Sequence, residues 1–350
     1  MKAFKQFFSV LLLVIFTVII TFNLDSCKEG TLAYKSNLDK IEKNEFYLNK
    51  LFDVKIFEEN QTINSIKVSI NDKEIKGTSI KLDSTIVNYG RNFLNVSINY
   101  ADNKVLTIDR IFTVYSSTPE VKSTYKILQE TVHDGAIFTQ GFEEENGIIF
   151  ESAGQKGESR VIKHILGSKK PIQEHLNEND VFGEGLTILN GKVYQLTWQN
   201  KKALIYNASD LKLEKELSYP TELKEGWGIC NDGTNFFATG DSTAGCLYNL
   251  TPDFKLIKIL PIVGNKKIYY QANELEFANG KIYANIWKEN IIIVINPKTG
   301  QVTNYYDLSE IASKNQTDQE NVLNGIAHLS GNTFLITGKN WTKTYKVELN

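Results

Sequence analysis

The sequence predicts an all-β protein: a five-bladed β-propeller preceded by a small β-sandwich. Three observations carry this. The chain has 19 Phe and 16 Tyr against a single Met, and aromatic residues favour strands. Short apolar runs alternate with polar residues on a period of two between residues 48 and 118. Beyond them, a Gly turn followed by a short strand recurs at Gly147, Gly191, Gly233, Gly280 and Gly331, a period of 40–50 that marks propeller blades. The 350 residues allow two or three domains, and 41% hydrophobic with 23% charged residues disfavours long disorder. A net charge of -2 excludes the basic footprint of a dedicated nucleic-acid binder. The three Cys are too few for a disulfide scaffold, and the four His lack the close pairing of a zinc centre.

Residues 1–27 read as an export signal. Lys2 and Lys5 precede an uncharged apolar run from Phe7 to Phe22, short for a membrane span and suited to a signal peptide. Leu24-Asp25-Ser26-Cys27 follows and resembles the bacterial lipobox, although Asp25 is polar where the pattern is small or apolar. That resemblance implies lipidation at Cys27, a membrane anchor held by acyl chains, and an extracytoplasmic body at the periplasm or cell surface. Residues 28–47 are polar and mixed in charge, as expected of a tether.

Residues 48–118 carry the alternating runs Phe52-Asp53-Val54-Lys55-Ile56, Ile66–Ile70, Leu94–Ile98 and Val105–Val114. Asn71-Asp72 and Ala101-Asp102-Asn103 supply turns between them. Several short strands in so few residues suggest a small β-sandwich. It resembles the immunoglobulin-like modules of bacterial surface proteins and holds no catalytic cluster. Ser116–Glu120 reads as the linker that ends it.

Residues 119–350 hold the repeat. Asn146-Gly147, Asn190-Gly191 and Asn279-Gly280 have hairpin-turn chemistry. Third strands follow at Ala203–Tyr206, Cys246–Asn249 and Ile291–Ile295, with outer strands at Phe254–Leu260 and Gly300–Tyr306. Tyr125–Gln129 precedes the first unit and is placed to close the ring against the last. Cys230 and Cys246 fall on the first and third strands of one blade, which are not adjacent, and whether they pair is left open.

The innermost strands line a propeller's channel and build its funnel. Here they carry Phe138-Thr139-Gln140-Gly141, Phe182-Gly183-Glu184-Gly185, Glu225-Gly226-Trp227-Gly228, Asn273-Glu274-Leu275-Glu276 and Leu323-Asn324-Gly325. Trp198 and Trp287 end second strands and Trp227 starts a blade, so these Trp gather at one face. An aromatic pocket with a few convergent polar groups is the usual small-ligand site. These segments, with Glu151-Ser152-Ala153-Gly154, Leu196-Thr197-Trp198, Ala284-Asn285-Ile286-Trp287 and Thr337-Gly338-Lys339-Asn340-Trp341, resemble the plant and bacterial glutamine cyclotransferases (glutaminyl-peptide cyclotransferases). The matches run in the family's order over about 124–349. Ala153 and the Asn340-Trp341-Thr342 ending depart from its usual Thr and Lys-Trp-Pro.

The resemblance implies a metal-independent aminoacyltransferase on a five-bladed propeller, turning N-terminal glutamine of peptides or proteins into pyroglutamate with release of ammonia. It implies Glu184 as the acid/base, with Gln140, Asn273 and Lys339 binding and polarising the amide. Phe138, Phe182, Trp198, Trp227 and Trp287 would be the walls. The chemistry asks for these types: one carboxyl to move a proton between nitrogens and donors for the developing oxyanion. Glycines on both sides of Glu184 are expected to leave room for substrate. Glu274 and Glu276 are expected on one side of their strand, one of them structural or facing the substrate amine. No zinc is implied; a structural calcium in the channel is allowed by the family, held by oxygen ligands. The expected partners are such substrates and the membrane, with no nucleic acid, the protein itself being a monomer. The alternatives are a non-catalytic surface propeller binding glycan or protein, and a sugar hydrolase or lyase using Glu184 with Glu276.

Overall fold

The computed structural model describes residues 34–58, 62–241 and 243–350. The proposed export signal, Cys27 and the beginning of the tether lie outside the described residues. The chain is all-β. It starts with β1 (Tyr34–Ser36), a 3-10 helix (Asn37–Lys43), β2 (Phe46–Tyr47), β3 (Leu51–Asp53) and β4 (Ile56–Glu58). Then come β5 (Ile63–Ile70), β6 (Lys73–Ile75), β7 (Ser79–Lys81), β8 (Gly90–Tyr100) and β9 (Val105–Tyr115). Five of them form one sheet in the order β2-β9-β8-β5-β6, while β1-β4 and β3-β7 form two small pairs. The period-two pattern places Val68, Ile70, Leu94, Val96, Ile98, Phe112 and Val114 in one core. Asn71 and Asp72, with φ of 49° and 64°, make the two-residue hairpin between β5 and β6.

The tether expected over 28–47 is packed from Tyr34 onward. The 3-10 helix buries Leu38 and Ile41, and Phe46 meets Phe52 and Phe112 edge-on with centroids 5.0 and 5.2 Å apart. These few apolar residues are too irregularly spaced among charges to show as a period. The expected linker is also pinned. The Ser116 hydroxyl accepts from Gln301 Nε2 at 2.8 Å, and Glu120 accepts from Tyr269 Oη at 3.0 Å and the Asn265 backbone N–H at 3.1 Å.

After β10 (Val121–Ser123) and β11 (Tyr125–Val132), the chain builds five antiparallel sheets. The first has β12 (Thr139–Glu145), β13 (Ile148–Ala153), β14 (Arg160–His164) and β15 (Gln173–Leu176). The second has β16 (Gly183–Leu189), β17 (Lys192–Thr197), β18 (Lys202–Asn207) and β19 (Leu213–Ser218). The third has β20 (Ile229–Asn231), β21 (Phe236–Ala238), β22 (Cys246–Leu250) and β23 (Leu256–Pro261). The fourth has β24 (Ala272–Ala278), β25 (Lys281–Ile286), β26 (Ile291–Ile295) and β27 (Val302–Asp307), extended by β10 in parallel to β27. The fifth has β28 (Leu323–Ser330), β29 (Thr333–Gly338) and β30 (Lys343–Leu349), completed by β11. Its outer strand therefore comes from upstream of the first sheet, as expected of Tyr125–Gln129. The first strands touch in sequence, β12 to β16 to β20 to β24 to β28 and back to β12, which closes a ring.

The Gly repeat is the turn between the first two strands of each sheet. Asn146-Gly147, Asn190-Gly191 and Asn279-Gly280 all have positive φ, the conformation that fits the twist of paired strands. Cys230 on β20 and Cys246 on β22 are both free, with β21 between them. Ring closure by β11 has a measurable consequence. A chain beginning at residue 124 keeps β11 and lacks β10, and one beginning at residue 133 lacks both, so the two differ by β11 alone. The shorter chain is expected to melt at least ~10 °C lower in a thermal scan, since each kcal/mol moves Tm by a few degrees at this size. Equal melting would show that the ladder between β11 and β30 does not hold the ring.

Candidate functional site

The first strands do not pair regularly with the second at their beginnings. Register slips lie between Thr139 and Gly141, between Gly183 and Leu186, and between Ala272 and Leu275. Gln140, Glu184 and Asn273 sit in these slips, and irregular pairing re-aims a side chain away from the sheet face. In an antiparallel hairpin the beginning of the first strand lies beside the end of the second. Trp198 follows β17, Trp287 follows β25 and Lys339 follows β29, so all meet at the same end of the ring.

The structure brings the predicted acid/base, amide-binding and wall residues into one cavity of about 240 Å³, walled by Phe138, Phe182, Trp198, Trp227 and Trp287. Gln140, Glu184, Asn273 and Lys339 supply its polar groups. The rings hold one another edge-on: Phe138 with Phe182 at 6.3 Å, Phe182 with Trp198 at 5.7 Å and Trp227 with Trp287 at 5.9 Å between centroids. Lys339 Nζ lies 4.9 Å from the Phe138 ring centre. Gln155 and Glu320 also line the cavity and were not singled out by sequence. Both lie in loops, where no period marks them. A second cleft of about 540 Å³ adjoins the cavity and shares Phe138, Gln155 and Glu320 with it.

Glu225 was quoted only as part of a motif, yet it holds two walls. Its Oε2 accepts from Trp198 Nε1 at 2.9 Å and from Trp227 Nε1 at 3.3 Å. The glycines around Glu184 correct an expectation. A Cβ at Gly185 would stand 2.6 Å from the Trp227 carbonyl oxygen, and one at Gly183 2.5 Å from Gln195 Nε2. They serve close packing within the ring rather than room for a substrate.

Glu184 is 5% exposed, Asn273 4% and Lys339 3%. Glu184 Oε2 and Asn273 Oδ1 are buried without a hydrogen-bond partner in the protein among the described residues. Burial pushes the Glu184 carboxyl well above the usual carboxylate range; the charge of Lys339 opposes this and that of Glu225 adds to it. Burial pushes Lys339 down to about 8, against the pull of Glu184 and Glu320.

Other buried carboxyls lie elsewhere on the ring. Glu274 accepts from the backbone N–H groups of Ile326 at 2.9 Å and Phe142 at 3.4 Å, a structural role. Neither Glu274 nor Glu276 lines the cavity, so Glu276 is not opposed to Glu184 across a scissile bond. Burial pushes Glu143 up to about 8, with repulsion from Glu145 adding to it, and raises Glu274 and Glu276 well above the ordinary range, with repulsion from neighbouring glutamates, Glu143 among them, adding to it. Among the described residues, no three His, Cys, Asp or Glu side chains converge to hold a metal ion.

A family model described as glutamine cyclotransferase matches residues 104–349. A glutaminyl-peptide cyclotransferase of Arabidopsis thaliana is 33% identical over 231 residues, which cover 64% of this chain and 71% of that protein. The crystal structure of Myxococcus xanthus glutaminyl cyclase is 31% identical with a TM-score of 0.59, covering 66% of this chain and 98% of that one. With 104–349 matched and the walls and polar groups gathered in one cavity, this chain belongs to the glutamine cyclotransferase family.

Proposed function

We propose that the protein is a metal-independent aminoacyltransferase that converts N-terminal glutamine of peptides and proteins to pyroglutamate and releases ammonia. The observation that carries this is the buried Glu184 carboxyl, one oxygen unpartnered, sharing an aromatic cavity with Lys339. The substrate's α-amine nitrogen attacks its own γ-carbonyl carbon. The new C–N bond forms, the old one breaks and ammonia leaves. One proton must pass from the attacking nitrogen to the departing one. Glu184 takes it as carboxylate and returns it as acid. A raised pKa makes the carboxylate a stronger base and keeps the acid form populated near neutrality. Gln140 and Lys339 donate to the amide oxygen as charge develops there. The unpartnered Asn273 Oδ1 suits an amine or amide N–H. The aromatic walls hold the glutamine bent toward attack. The adjoining cleft gives the rest of a peptide a way out. The reaction asks for no metal, because Glu184 moves the one proton required and Lys339 supplies the positive charge. The calcium ion that the family allows would take channel oxygens, and no step passes through it. A glycan-binding surface would have use for the walls but none for a buried carboxyl beside a lysine of lowered pKa.

The closed ring of five sheets supports a five-bladed propeller over 119–350, and the preceding β domain supports an immunoglobulin-like spacer. The N-terminal run and the stretch before Cys27 support a lipidated, membrane-anchored protein outside the cytoplasm.

Two measurements test the chemistry. The full chain, given a Gln-initiated peptide, should release ammonia faster than the spontaneous reaction, and Glu184→Gln should lower kcat by about 10²–10⁴-fold. A Glu184→Gln protein as fast as wild type would remove Glu184 from the reaction. The donor role of Lys339 needs its proton, so kcat should fall as pH rises past about 8, and Lys339→Arg should move that fall upward. The stability sign is opposite. Folded Lys339 holds its proton less tightly than the unfolded side chain near 10.5, so stability rises with pH between about 8 and 10.5. Lys339→Met is therefore expected to lose activity while melting higher than wild type at neutral pH.

A further inference from the structure

His133 lies between β11 and β12 and is 2% exposed. Its Nδ1 is 2.7 Å from the carbonyl oxygen of Trp341, and its Nε2 is 3.0 and 3.2 Å from the two carboxyl oxygens of Glu151. A carbonyl oxygen only accepts hydrogen bonds, and so does an ionised carboxylate. Both ring nitrogens of His133 must carry protons for both contacts to be hydrogen bonds. Glu151 is fully buried and also accepts from His164 Nε2 at 3.1 Å and from Thr139 Oγ1 at 2.6 Å. Nothing in the proposed reaction uses this cluster.

We infer that His133 is a buried imidazolium paired with Glu151, and that the pair is a positioning device for Lys339 and Gln140. Lys339 and Trp341 share the turn between β29 and β30. His133 grips that turn twice, through its ring on the Trp341 carbonyl and through its backbone N–H on the Thr342 carbonyl at 2.9 Å. On the other side, Thr139 gives its hydroxyl to Glu151 and is the residue before Gln140. One ion pair therefore ties the fifth sheet's lysine to the first sheet's glutamine. The charged and titratable groups facing His133 are Glu151 on β13, His164 on β14 and Asp134 beside it in the chain. Burial opposes the charge on His133, but Glu151 more than offsets this and raises its pKa. Burial alone would raise Glu151 too; His133 and His164 hold it well below the usual range. With its folded pKa raised, His133 contributes stability fully below the unfolded value near 6.5, and loses it as pH climbs through the higher folded value.

The test has two arms, and only the second rests on the proposed function. In the first, nitrogen–proton NMR of the full wild-type chain counts ring protons on His133, identified by its contact with the Phe142 ring. Two ring protons at pH 8 are expected, where an ordinary histidine is neutral. A single ring proton there overturns the imidazolium. In the second, Glu151→Gln should lower kcat about tenfold, and combined with Lys339→Met it should cost clearly less than the sum of the two single losses. Additive losses would mean that the pair does not act through Lys339, which overturns the positioning role. If Glu151→Gln does not fold, Thr139→Val enters the same cycle paired with Gln140→Ala. A wild-type chain with two ring protons and no cyclase activity would sink the proposed function while leaving the imidazolium standing.

Discussion

The rest of the structure depends on how closely the five innermost strands approach one another. A Cβ at Gly228 would stand 1.7 Å from the Asn273 carbonyl oxygen, and one at Gly141 2.3 Å from the Leu186 backbone nitrogen. Neighbouring backbones therefore meet where side chains would otherwise separate them. Strands this crowded at one end cannot also pair regularly with their own second strands. Gly185 donates its backbone N–H to the Trp227 carbonyl at 2.7 Å, across to the next sheet. The slips around Gln140, Glu184 and Asn273 follow, and with them the cavity. The site is the place where the ring's closure and each sheet's ladder compete.

That geometry sets the electrostatics. A carboxyl turned out of its ladder into an aromatic cage has few donors to meet it, and burial then favours its neutral form. Glu151, on β13 of the first sheet, is just as buried but meets two histidines and a hydroxyl, and it stays ionised. Glu274 meets two backbone N–H groups and is structural. Burial is common to all three; the two histidines hold Glu151 ionised, whereas the two backbone N–H groups on Glu274 do not overcome burial, and it is raised as Glu184 is. An unpartnered Glu184 oxygen is a cost to the fold, of the kind that functional sites carry and cores avoid.

Much of this was legible in the sequence, for identifiable reasons. The Asn-Gly turns announce themselves because few other residues tolerate two successive positive φ values. The wall and polar residues announced themselves because they start first strands or end second strands, positions countable once the repeat is found. What escaped had no period. Leu38, Ile41 and Phe46 are isolated apolar residues in a charged stretch, and only Phe52 and Phe112 show what they pack against. Gln155 and Glu320 come from loops. Glu225 was visible as a residue, but its grip on two indoles joins β17 to β20 across a sheet boundary, which spacing does not encode. The glycines beside Glu184 were read for the right freedom and the wrong beneficiary: a one-dimensional pattern shows that space is needed, and only the neighbouring strand shows what fills it.

The division of labour among sheets explains why so much of the chain serves so small a cavity. Glu184 comes from the second sheet, Asn273 from the fourth, Lys339 from the fifth and Gln140 from the first. No one sheet holds two of the four polar groups, so their mutual distances are set by the ring as a whole. Near-attack geometry is sensitive to displacements of about 1 Å. A ring closed by its own first strand, β11 against β30, resists such displacements better than an open array. Ties between sheets, such as Glu225 with its two Trp and Glu151 with His133, act on the same distances. Rigidity here is not an ornament of the fold but the means by which residues nearly 200 positions apart, Gln140 and Lys339, come to line one small cavity.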